Sequence, residues 1–151
     1  MGPVHFGQSD ATPLAADFDG DRKADPACVD AAGSWTAWLS SRGYAPVGPY
    51  TTFSGVELPL TADFDGDGKA DPAGYRAGVL WAWLSGSGYS SVSAPLYVTG
   101  GIPAAADYDG DGKADPAVYV PATGPGTSGA WYAWLSTAGY ALSDPFPLTA
   151  P

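Results

Sequence analysis

Histidine, cysteine, methionine and glutamate occur once each, as His5, Cys28, Met1 and Glu57, and lysine and arginine together only six times. A single cysteine allows no internal disulfide, so the fold must be held by packing or by metal. A single histidine near the start leaves no Ser–His–Asp set that does not draw on His5. Cys28 falls on a predicted strand, where a small buried residue is the ordinary explanation. The basic residues are scattered, without the stripe and interleaved aromatics that nucleic acid requires, so binding of nucleic acid is not expected. No apolar run has the length of a membrane span.

What the chain does have is 21 glycines, 15 prolines, 20 aromatic residues and an excess of aspartate. Disordered chains are poor in aromatics, so the glycine and proline point to many short strands joined by tight turns. Twelve of the 16 acidic residues lie in three copies of one nine-residue stretch: Asp17 to Asp25 (DFDGDRKAD), Asp63 to Asp71 (DFDGDGKAD) and Asp107 to Asp115 (DYDGDGKAD). Carboxylates at positions 1, 3, 5 and 9 of so short a loop repel one another unless a cation sits between them. Calcium takes six to eight oxygens at about 2.3–2.6 Å, a radius on which alternate side chains of a tight loop converge. The carbonyl of position 7 (Lys23, Lys69, Lys113) is a candidate fifth protein oxygen. The alternative is a solvated acidic turn with no ion, and three copies in register argue against it. Three divalent ions would bring the formal charge from −10 to −4, leaving a mildly acidic surface.

The loop is not an EF-hand, which needs glycine at position 6 and a bidentate glutamate at position 12. Here position 12 is Cys28, Gly74 or Val118, and Pro26, Pro72 or Pro116 follows the ninth residue, where it disfavours a continuing helix.

Self-similarity extends beyond the loops. The first aspartates, Asp17, Asp63 and Asp107, are 46 and 44 residues apart, and Trp38, Trp83 and Trp134 follow at 45 and 51. An insertion from Pro121 to Gly129 lengthens the third unit. Each unit predicts four strands: a lead-in (Leu14 to Asp17, Leu60 to Asp63, Ala104 to Asp107), a strand after the loop (Ala27 to Asp30, Ala73 to Arg76, Ala117 to Val120), and an aromatic strand (Ser34 to Ser40, Val79 to Ser85, Ala130 to Ser136). A four-residue connection in Leu-Ser-x-x-Gly-Tyr then leads to a last strand entered at Tyr44, Tyr89 or Tyr140. In the first unit Trp35, Ala37 and Leu39 alternate with Thr36, Trp38 and Ser40, so both faces carry a tryptophan and both are expected to be covered.

Units of about 45 residues with four antiparallel strands are what propeller blades look like. The Asp-x-Asp-Gly-Asp-Gly-x-x-Asp loop, with Ala117-Val118-Tyr119 and Trp131-Tyr132 after it, resembles the FG-GAP or VCBS repeat of the integrin alpha-chain head and of many secreted bacterial proteins. The likeness covers nearly the whole chain. It implies an all-β propeller with one structural Ca²⁺ per blade, three per chain. The side-chain ligands would be Asp17, Asp19, Asp21 and Asp25; Asp63, Asp65, Asp67 and Asp71; and Asp107, Asp109, Asp111 and Asp115. Arg22 departs from the pattern, standing where the other copies have Gly68 and Gly112, and strains the first loop if that position needs a positive φ. Residues 1–13, with Phe6-Gly7, are expected to form a strand completing a neighbouring blade; 14–59, 60–103 and 104–151 are the blade repeats, and Pro145 to Pro151 resembles a blade's last strand.

Three blades cannot close a ring that needs about four to eight, so two chains meeting head to tail as a six-bladed homodimer are expected, with a piece of a longer array as the alternative. A β-trefoil or β-prism also suits the length, but a trefoil has no place for acidic loops between its strands. Catalysis has little to work with, since Asp10, Asp30, Glu57 and Asp144 are unpaired in sequence. The expected function is a non-catalytic binding module on a secreted or cell-surface protein, because such calcium sites belong where calcium is abundant. The resemblance to propeller lectins implies glycans bound between blades, with Trp81, Tyr132, Tyr44, Tyr89 and Tyr140 as stacking candidates. Trp38, Trp83 and Trp134 are read as core. The alternative is an adhesion or accessory scaffold whose partner is a protein.

Overall fold

A computed structural model describes residues 10–98 and 100–142. Among these the protein is all-β, with three four-stranded antiparallel sheets and no α-helix. The first sheet is β1 (Thr12–Ala16), β2 (Asp25–Val29), β3 (Trp35–Leu39) and β4 (Ala45–Val47). The second is β5 (Leu58–Ala62), β6 (Asp71–Arg76), β7 (Val79–Leu84) and β8 (Ser90–Pro95). The third is β9 (Ile102–Ala106), β10 (Asp115–Val120), β11 (Ala130–Leu135) and β12 (Ala141–Leu142). Every sheet is a meander in chain order. The first strands are neighbours, β5 touching both β1 and β9.

The lead-in strands begin two residues earlier than expected and stop before the first aspartate, whose side chain folds into the loop. The second strands begin at the ninth aspartate itself. The last strands begin one residue later than expected. After β3, β7 and β11 come 3-10 turns at Ser40–Arg42, Ser85–Ser87 and Ser136–Ala138, closed by a left-handed glycine. Tyr44, Tyr89 and Tyr140 then also take positive φ (64°, 62° and 61°) as their N–H groups return to the carbonyls of Leu39, Leu84 and Leu135. A residue held in that turn cannot start a strand. The insertion at 121–129 is irregular, and residues 121–128 are exposed. Of the segment 1–13 expected to complete a neighbouring blade, residues 1–9 lie outside the described residues, and Thr12 and Pro13 belong instead to β1 of the first sheet; Pro145 to Pro151 and Asp144 also lie outside the described residues.

Small residues meet at the centre of each sheet: Ala27 pairs with Ala37, Ala73 with Ala82, and Ala117 with Ala133, all six buried. Trp83 and Trp134 are buried as expected; Trp38 is half-buried, and Trp35 beside it is fully enclosed. One core cluster joins Phe18, Ala27, Ala37 and Leu39 of the first repeat to Ala70 of the second loop. Another joins Phe64, Leu80, Ala82 and Leu96 to Ala114 and Trp134 of the third repeat. The eighth residue of the second and third loops, Ala70 and Ala114, thus plugs the core of the repeat before it.

Candidate metal centres

The three acidic loops connect the first and second strands of their sheets, and their geometry repeats. The first aspartate ties the turn: Asp17 Oδ1 accepts the N–H of Gly20 at 2.7 Å and Oδ2 that of Arg22 at 2.7 Å. Asp63 does the same for Gly66 and Gly68, at 2.6 and 2.8 Å, and Asp107 for Gly110 and Gly112, at 2.6 and 2.9 Å. The residue at position 6 needs a positive φ, 67° at Arg22, 85° at Gly68 and 90° at Gly112. Arginine therefore holds a backbone conformation that suits glycine.

The ninth aspartates are fully buried and join the loop to the 3-10 turn beyond the third strand. Asp25 accepts the N–H of Phe18 at 3.0 Å and of Ser40 at 2.7 Å. Asp71 accepts those of Phe64 and Ser85, and Asp115 those of Tyr108 and Ser136. The third aspartates reach the same turn: Asp19 accepts the hydroxyl of Ser41, Asp65 the N–H of Gly86 at 2.9 Å, and Asp109 the N–H of Thr137 at 3.1 Å.

Positions 1, 3 and 9 converge. Asp17, Asp19 and Asp25 bring one carboxylate oxygen each within 4.8 Å of the others, as do Asp63, Asp65 and Asp71, and Asp107, Asp109 and Asp115. These three clusters of hard oxygen donors are of a kind that can hold a metal ion. The fifth-position residues Asp21, Asp67 and Asp111 are not members of the convergent sets; their Oδ2 atoms accept the hydroxyls of Ser40, Ser85 and Ser136 at 2.8, 2.8 and 2.6 Å. Lys23, Lys69 and Lys113 turn their N–H groups back to those carboxylates at 2.9, 2.9 and 2.8 Å.

Electrostatics differ within the loops. The Ser40 hydroxyl and Lys23 ammonium hold Asp21 below the usual carboxylate range, and the Thr137 hydroxyl does so for Asp109. Burial pushes Asp71 up to about 6, against the opposing hydrogen bonds from Ser85 and Phe64. A charge that costly to bury is one that a cation would stabilise.

Of the aromatic candidates, Tyr132 and Tyr140 line a cleft of about 830 Å³ between the second and third sheets, with Tyr97, Trp134, Asp65 and Lys113. Tyr89 packs on Tyr50 at 4.9 Å between ring centroids, Trp81 on Phe53 at 5.5 Å, and Tyr44 is exposed. Sequence reasoning missed that Asp10, Asp30 and Glu57 line one small cavity of about 150 Å³. Asp30 there caps its own turn, accepting the N–H groups of Ala32 and Ser34 at 2.9 Å. No helix among the described residues is long and apolar enough to cross a membrane. No family model matches the chain, and no curated protein or solved structure matches it either.

Proposed function

We propose that the protein is a non-catalytic, calcium-stabilised propeller module that binds glycans on an exported or cell-surface protein. The four-stranded meanders are its blades, and two chains complete a six-bladed ring. One Ca²⁺ in each loop is held by the first, third and ninth aspartates. The fifth-position carboxylate and the carbonyls of Lys23, Lys69 and Lys113 complete the oxygen set. The metal role is structural: each ion joins a loop to the turn beyond the third strand of the same sheet.

The cleft beside Tyr132, Tyr140 and the exposed Tyr97 carries the glycan reading. Aromatic faces offer stacking surface to a pyranose ring, while Asp65 and Lys113 at the same wall supply acceptors and donors for sugar hydroxyls. A glycan array probed with calcium-loaded protein tests it, and Tyr132→Ala should abolish the signal. Silence across a broad array would instead favour a scaffold for protein partners.

A further inference from the structure

The two seams between the described repeats follow one rule, and the outer sides of the first and third repeats carry the same groups exposed. At each seam the loop of one repeat receives the loop of the next. Ala70 donates its N–H to the carbonyl of Asp17 at 2.6 Å, and Ala114 donates to that of Asp63 at 2.6 Å. Lys69 lies across Gly20, where a Cβ would meet its Cγ at 3.4 Å, and Lys113 lies across Gly66, at 3.2 Å. Burial follows the same pattern. The plugging alanines are 7% and 5% exposed, and the second-position aromatics that receive them, Phe18 and Phe64, are 2% and 6% exposed.

At the ends the equivalent groups are exposed. Ala24, the equivalent of Ala70 and Ala114, is exposed, and the Lys23 side chain before it is 70% exposed. At the far end Tyr108, the equivalent of Phe18 and Phe64, is 38% exposed, and a Cβ on Gly110 would meet nothing within 4 Å. Among the described residues Ala24 N–H and the Asp107 carbonyl have no seam partner.

We infer that these ends are the two halves of a third seam, filled by a second copy of this chain. Ala24 of one copy donates to the Asp107 carbonyl of the other and plugs the core beside Tyr108, while Lys23 crosses Gly110. The inference rests on the propeller reading and assigns its closing surface. A contact between unlike ends forms twice in a two-fold dimer and leaves no end open.

Ala24→Trp tests this, since a bulky side chain fits an exposed position in one chain but not a closed seam. Tyr108→Arg probes the other end, and Ala122→Trp in the exposed insertion is the control. Light scattering on the calcium-loaded protein at high micromolar concentration should give twice the 15.3 kDa chain mass for the parent and the control. Both end variants should give the single-chain mass, with an unchanged circular dichroism spectrum and calcium stoichiometry. A monomeric parent, or an Ala24→Trp dimer, overturns the seam. A monomer that still binds three calcium ions leaves the metal reading standing, whereas a dimer that binds none leaves the seam standing and removes the metal.

Discussion

Asp71 is fully buried, and its Oδ1 receives the N–H of Ser85 at 2.7 Å across 14 residues of chain. The other oxygen of that carboxylate takes the N–H of Phe64 at 2.8 Å. One side chain thus satisfies two backbone donors from different segments, and Asp25 and Asp115 repeat the arrangement. In Asp71→Ala both donors lose their acceptor, the Phe64 N–H in a buried place and the Ser85 N–H in a partly buried one, at about 1–3 kcal/mol each. Urea denaturation in excess chelator should show a loss of about 2–5 kcal/mol for Asp71→Ala and a smaller one for Asp71→Asn, which keeps one acceptor. Equal stability of the alanine variant and the parent would show that the bridge contributes nothing.

Cation removal acts through the same bridge. With a site Kd near 10⁻⁴ M and free calcium about ten-fold higher, linkage adds roughly 1.4 kcal/mol per site. Three sites supply a large share of a typical stability of about 5–15 kcal/mol. Chelator should therefore lower the melting temperature markedly, and an unchanged melting curve in excess EDTA would sink the metal reading. Asp67→Ala should be milder than Asp63→Ala, because Asp67 is outside the convergent set while Asp63 belongs to it and also ties the loop backbone.

Protons compete with that cation, so saturating calcium should flatten the pH dependence that the metal-free protein shows. Burial raises Asp71 from its ordinary 3.8 to about 6 in the metal-free fold. Between those values the folded state binds more protons than the unfolded one, so metal-free stability falls as pH rises through the window. Calcium binds the deprotonated carboxylate, so its affinity should rise over the same window. Melting curves from pH 4 to 7, with and without calcium, check both slopes; parallel slopes would remove Asp71 as the titrating group.

Repetition made most of this architecture legible. A loop copied three times announces three equivalent units, and the alternation of Trp35, Ala37 and Leu39 placed the third strand to within a residue. Tyrosine, however, carries no signal for the left-handed conformation that Tyr44, Tyr89 and Tyr140 adopt; it comes from hydrogen bonds closing the preceding turn. Nor does composition reveal that the serines of Leu-Ser-x-x-Gly-Tyr bind the fifth-position carboxylates. The bond from Ala70 to Asp17 joins two loops 46 residues apart in register, a relation that belongs to packing between sheets. Asp10, Asp30 and Glu57 meet at one cavity for the same reason.

Arg22 tests how strongly the loop imposes its backbone. Its N–H donates to Asp17 Oδ2 at 2.7 Å, the bond that Gly68 and Gly112 make at 2.8 and 2.9 Å, so the loop demands the left-handed conformation whatever residue stands there. For a residue with a Cβ that conformation costs about 1–2 kcal/mol. Glycine's greater freedom in the unfolded chain takes back about 0.4–1 kcal/mol, so Arg22→Gly should stabilise the protein by about 0.5–1 kcal/mol. Removing a positive charge beside the first acidic cluster should also tighten calcium there, while Gly68→Arg should loosen the second loop by a similar margin. Urea midpoints and calcium titrations of both variants measure this. An Arg22→Gly protein no more stable than the parent would mean that the arginine side chain makes a compensating contribution the loop geometry does not explain.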